Sequence, residues 1–152
     1  MHTKSTAPLV IWQDKYALGL DEIDEQHKTL FNIMNHIWEG IVHNADAASM
    51  IGFLEELERY TISHFTEEEV FMRGIEYPNI DSHIAQHHTF VQHITNEKIK
   101  AQRGQKVSLE LLHFLRNWLV NHILVEDKRY EVHFHSGKRS KSILGRFFAK
   151  LR

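Results

Sequence analysis

The sequence predicts an all-α protein: an up-down-up-down four-helix bundle with an N-terminal arm and a short C-terminal amphipathic helix. Three observations carry that reading. Four stretches place apolar residues at i, i+3 and i+4, the stripe of a helix that buries one face. The turns between them are short, so neighbouring helices run antiparallel. The 152 residues hold only two prolines and seven glycines, too few to interrupt long helices often.

The elements follow in order. Residues 1–20 keep no sustained period and read as an arm that lays Trp12, Tyr16 and Leu18 across the domain. A first helix runs from about Glu22 to His43, with seam Ile23, His27, Leu30, Met34, Ile37 and Ile41. Asn44-Ala-Asp46 is a turn. A second helix runs from about Ala48 to Arg73, with seam Phe53, Leu57, Tyr60, His64, Glu68 and Phe71. Gly74 is the expected C-terminal cap and Pro78 the stop. A third helix runs from about Ile80 to Gln102 through His83, His87, Phe90 and Ile94. After the turn at 103–106, Ser108 caps a fourth helix with seam Leu111, Leu115, Trp118, His122 and Val125. It fades near His135-Ser136-Gly137. The division is therefore an arm over 1–20, a bundle over 21–136 and a basic tail over 137–152.

Composition excludes several classes. A formal net charge of -2 argues against an electrostatic nucleic-acid binder. The absence of cysteine removes disulfides, iron–sulfur ligation and thiolate zinc sites, and fits a cytoplasmic protein. The apolar run Leu9–Trp12 is too short for a signal-peptide core, and no apolar run approaches the ~18 residues of a transmembrane helix.

Thirteen histidines are the anomaly. Every seam carries at least one, and their depths agree. In an antiparallel pair, residues at equal depth lie equally far from the turn between them. The midpoint of positions 27 and 64 falls in the 44–46 turn. The pairs 64/68 and 83/87 are centred on the 74–79 turn, and 87 and 122 on the 103–106 turn. His27, His64, Glu68, His83, His87 and His122 therefore share one layer. Five buried imidazoles and a carboxylate would be costly there without partners, and bound metal removes the cost. Asp127 lies five residues after His122, about 140° around an ideal α-helix, and reaches the layer only if the helix bends locally. Two carboxylates and five imidazoles exceed one ion's needs and suit two ions roughly 3.5 Å apart. The remaining histidines, His2, His36, His43, His88, His93, His113, His133 and His135, have no seam partner at that depth. Glu67 and Glu69 are expected to be solvated or paired, and Glu25 and Gln26 to lie behind the ligands or on the surface.

The chain resembles the bacterial hemerythrins, members of the hemerythrin-like domain family, over about residues 9–135. The residues that carry the resemblance are Ile11-Trp12 with Tyr16 and Gly19, Ile23-Asp24-Glu25-Gln26-His27, His64 to Met72, His83 to Phe90, and Trp118 to Asp127. The resemblance implies a non-haem di-iron centre. One iron would be held by His83, His87 and His122, the other by His27 and His64. Glu68 and Asp127 would bridge them together with an oxo or hydroxo group. The second iron would keep an open position for dioxygen, making the protein an oxygen carrier or store rather than an enzyme, one that could deliver oxygen to an oxygen-consuming enzyme. Leu30, Phe65, Trp118 and Leu119 stand beside ligands at a spacing that suits a water-excluding oxygen pocket.

Two other classes compete. A di-iron oxidase, or a peroxide- or nitric oxide-reducing enzyme, would be expected to show Glu-rich ligation with two Glu-x-x-His pairs. This chain has one, Glu110/His113, away from the layer. A dioxygen-sensing module would be expected to carry a signalling domain, for which 152 residues leave no room. Zinc hydrolysis lacks its His-Glu-x-x-His helix. The tail carries Lys138, Arg139, Lys141, Arg146, Lys150 and Arg152 without an acidic residue, and Ile143, Leu144, Phe147, Phe148 and Leu151 form one apolar face if it is helical. Residues 138–152 are thus a candidate for docking on an anionic membrane surface or a partner's groove, against the alternative of packing on the bundle.

Overall fold

A computed structural model describes residues 7–136. Four antiparallel helical columns form the bundle. They are α1 (Asp21–Val42), α2 (Ala47–Gly74), α3 (Ile80–Gln102) and a fourth column that begins with α4 (Leu109–Asn121). The fourth column passes through a π-helical turn, His122–Asp127, and continues as α5 (Lys128–Ser136). The backbone at His122 and Lys128 is right-handed helical, so the column does not break. The 137–152 tail, including the candidate docking segment 138–152, and His2 lie outside the described residues.

The helix starts follow local chemistry. Asp46 caps α2 by accepting from the Ser49 N–H at 2.7 Å, and Ser108 caps α4 by accepting from the Leu111 N–H at 3.2 Å. Gly74 is not the left-handed cap that its position suggested. It ends α2, and the positive φ of 56° falls at Glu76, where the Tyr77 N–H turns back to the Met72 carbonyl. The arm is pinned by Asp24 on α1, whose carboxylate accepts from the Leu18 and Gly19 N–H groups at 2.8 and 3.2 Å. Gly19 takes φ 75° there, a conformation that favours glycine. Tyr16 and Leu18 are buried and Trp12 is half-buried.

Two apolar clusters fill the interior. One gathers Leu30, Met34, Leu54, Phe65, Phe90, Leu115 and their neighbours. The other gathers Leu20, Ile23, Phe71, Met72, Tyr77, Tyr130 and Phe134. The histidine layer lies between the two, with Phe65 and Ile123 of the first cluster reaching to its level. Most seam residues are buried as expected, but Val125 is 38% exposed. The reason is the π turn. The predicted seam steps by three from His122, whereas the i→i+5 turn puts the inward position five residues on, at Asp127.

Candidate metal centre

The structure brings His27 from α1, His64 and Glu68 from α2, His83 and His87 from α3, and His122 and Asp127 from the π turn into one layer. None of the seven is more than 2% exposed. Asp127 arrives because an i→i+5 turn puts residues five apart on one face, which supplies the local bend that an ideal α-helix lacks.

The carboxylates divide their oxygens between two groups of imidazoles. Glu68 Oε1 lies 2.9 Å from His87 Nε2 and 3.0 Å from His83 Nε2. Its Oε2 faces the other way, 3.4 Å from His64 Nε2 and 3.8 Å from His27 Nε2. Asp127 repeats the pattern. Its Oδ1 lies 3.1 Å from His83 Nε2 and 3.2 Å from His122 Nε2, and its Oδ2 lies 3.3 Å from His27 Nε2. Two donor groups result, each with its ligand atoms within 4.8 Å of one another. One comprises Glu68, His83, His87, His122 and Asp127, the other His27, His64 and Glu68.

This donor set fits bound metal. The Nε2 atoms of His27, His64 and His87 and both Asp127 oxygens are fully buried, yet none makes a hydrogen bond. Orphaned polar atoms of this kind are costly, and here they converge on each other. Nitrogen and oxygen donors without sulfur, in imidazole-rich sets, suit iron as well as zinc, copper and nickel.

The outer nitrogens set ring direction. His64 Nδ1 donates to Gln26 Oε1 at 2.6 Å, and Gln26 Nε2 in turn donates to Glu67. His122 Nδ1 donates to Gln86 Oε1 at 3.0 Å, and His87 Nδ1 to Glu69 Oε2 at 2.9 Å. In each case a proton sits on Nδ1 and Nε2 faces inward. The fully buried Tyr130 hydroxyl donates to Glu68 Oε2 at 3.1 Å.

Electrostatics show a cluster of mixed charge. Burial pulls His27 down, but Asp127 and Glu68 outweigh it and raise the group to about 9. The same contest raises His83 to about 10. His87 is raised against burial by Glu68 and Glu69, while at His64 burial prevails over Glu68 and lowers it. Glu68 is held well below the ordinary carboxylate range, against burial, by its four histidines. Asp127 is also held low, against burial and the Glu68 charge, by His122 and His27. Tyr130 is pushed well above its ordinary value by burial and by Glu68.

The apolar candidates differ in exposure. Leu30, Phe65 and Leu119 are buried and Trp118 is half-buried. Phe65 stacks on His87 with centroids 3.7 Å apart, and Trp118 stacks on His122 at 4.4 Å. Both rings therefore cover the three-histidine group. His36, His43, His88, His93, His113 and His135 are exposed and His133 is half-buried, bonded to the Ile75 carbonyl. His113, of the lone Glu-x-x-His pair, stacks on Trp38. Among the described residues none of these joins a metal-holding group. Sequence reasoning missed Gln86, which reaches across from α3, and Tyr130. The signal for Tyr130 was its position three residues after Asp127, visible once the seam is restarted at Asp127.

Comparison with known proteins finds relatives of this chain. Residues 18–131 match the family described as hemerythrin HHE cation binding domain. A bacteriohemerythrin of Stenotrophomonas maltophilia is 32% identical over 123 residues, covering 80% of this chain and 79% of that protein. A myohemerythrin of Theromyzon tessulatum is 33% identical over 120 residues, covering 79% and 89%. Among solved structures, wild-type hemerythrin superimposes with a TM-score of 0.77 at 28% identity, covering 83% of this chain and 98% of that one.

Proposed function

The chain belongs to the hemerythrin family, and on that premise we propose that it binds dioxygen reversibly at a pair of iron ions held in the buried layer. The observation that carries the proposal is the division of the two carboxylates. Glu68 and Asp127 each turn one oxygen to the three-histidine group and the other toward the His27/His64 side. Such a division suits a site for two ions, to each of which both carboxylates would offer an oxygen.

His83, His87 and His122 would hold one ion and His27 and His64 the other, the smaller donor count leaving that side open to a diatomic ligand. When bound, the iron pair supplies two electrons and an open coordination position. The chain's own part is placement and exclusion. Gln26, Glu69 and Gln86 fix three rings through their outer nitrogens. Tyr130 keeps its proton and holds Glu68 by the oxygen that faces His27 and His64. Leu30, Phe65, Trp118 and Leu119 keep water from the layer, which favours reversible binding over oxidation of the iron.

The test is to load the chain with ferrous iron, count the metal and follow the visible spectrum through repeated cycles of air and deoxygenation. Two irons per chain and a spectrum that returns each cycle are expected. One iron, or a first exposure to air that cannot be undone, overturns the carrier reading. Sustained peroxide or nitric oxide reduction at ~1 per second or faster would replace it with an enzymatic one.

A further inference from the structure

Each buried imidazole has a second nitrogen, and its partner differs around the layer. His64 and His122 use neutral amides, those of Gln26 and Gln86. His87 uses a carboxylate, Glu69 Oε2, at 2.9 Å. His27 and His83 have no hydrogen-bond partner at Nδ1. Among the described residues, Glu69 is thus the one anion that meets the outer nitrogen of a layer histidine. Glu67 stands one side chain further away, behind Gln26. The His87 ring is held twice: Phe65 lies parallel on its face, 3.7 Å away with planes 2° apart, and Glu69 fixes its in-plane direction.

Glu69 is also reachable. Its side chain is 18% exposed and lines a cavity of about 650 Å³ between α2 and α3, together with Phe65, Thr66, His87, His88 and Val91. A carboxylate that accepts from Nδ1–H draws the proton toward itself and leaves more electron density on Nε2 than an amide does. A richer Nε2 favours the higher oxidation state of a redox metal bound to it.

We propose that Glu69 is a charged positioning residue of the site, acting through His87 to lower the reduction potential on the three-histidine side. The proposal rests on the two-iron reading and adds an asymmetry to it. The His83/His87/His122 side is the more readily oxidised half, and the asymmetry comes from one side chain that binds no metal.

Two variants test it. Glu69→Gln keeps an acceptor at the same place and removes the charge, reproducing what His64 and His122 already have. Glu69→Ala removes both and opens space continuous with the cavity, wide enough for a small carboxylate. The readouts are iron count, a potentiometric titration followed in the visible range, and the ring nitrogen shifts of His87 in the metal-free chain. Glu69→Gln should retain two irons and shift the ferric/ferrous ratio toward ferrous by about tenfold, 59 mV for one electron. Glu69→Ala should hold metal about 10–100-fold more weakly, with formate or acetate restoring affinity and acetamide failing to. An unmoved potential in Glu69→Gln, or rescue by acetamide equal to that by acetate, overturns the proposal. A wild-type chain that holds no iron pair overturns the two-iron reading as well. Two irons in the wild type with an unmoved Glu69→Gln potential overturns this proposal alone.

Discussion

Loading metal into the layer should expel protons, and the number follows from the residues. In the metal-free chain His27 stands at about 9 and His83 at about 10, both raised by Asp127 and Glu68 against burial. At pH 7 each is protonated in all but about one chain in a hundred, or fewer. Both must give up that proton to offer Nε2 to an ion. At least two protons should therefore leave per loaded chain. Apparent affinity should rise roughly tenfold per pH unit for each ion, and roughly a hundredfold for the pair, up to about pH 9, because one proton leaves from each side. Calorimetric titration in two buffers of different ionisation heat reads the count directly. A release near zero, or an affinity flat between pH 6 and 8, would refute the reasoning.

The same shifts set how the metal-free fold responds to pH. A raised histidine contributes stability that is complete below its ordinary 6.5 and is lost as pH rises through 9 and 10. A depressed carboxylate contributes stability that is complete above its ordinary 3.8 or 4.5 and is lost as pH falls through the depressed value. His64, lowered by burial, opposes the other histidines below 6.5. The metal-free chain should thus be most stable between about 4.5 and 6.5 and weaken toward 9 to 10, while the metal-loaded chain gains stability over that upper range.

Asp24→Ala should cost roughly 2–3 kcal/mol in chemical denaturation, because two arm N–H groups lose a charged acceptor, and should leave the iron count unchanged. An unaltered denaturation midpoint would show that the arm is not held by Asp24. Val125→Gln should stay within about 0.5 kcal/mol of the parent chain, since the π turn leaves that side chain 38% exposed. A loss of 2 kcal/mol or more, as burial on an unbroken α-helical seam implies, would contradict the turn.

Most of the bundle was legible because helix period and turn chemistry agree along the chain. The α1, α2 and α3 bounds expected from the seams fall within a residue of the observed ones. The histidine layer was legible for a related reason. Antiparallel helices convert distance from a turn into depth, so sequence numbers alone place His27, His64, His83, His87 and His122 at one level. Direction across the layer was not available that way. Gln86 meets His122 and Glu69 meets His87 through contacts between helices, and nothing in either residue's own spacing marks it. Gly74 misled for another reason: the turn after α2 needs its left-handed residue two positions later, at Glu76.

The π turn joins what periodicity explains to what it does not. A regular helix would place residues four apart, not five, on His122's face, and Asp127 would point about 140° away. The i→i+5 turn corrects that error over His122–Asp127, and α5 then resumes with Tyr130 and Phe134 buried. The extra residue does two things at once. It swings Asp127 inward, where its oxygens face His83, His122 and His27, and it carries the following turn round so that Tyr130 meets Glu68. Both carboxylates of the layer therefore depend on the same local irregularity, Asp127 for its position and Glu68 for its hydrogen-bond partner. A helix that obeyed its period would keep the five histidines at one depth but lose the carboxylate arrangement that divides them into two groups.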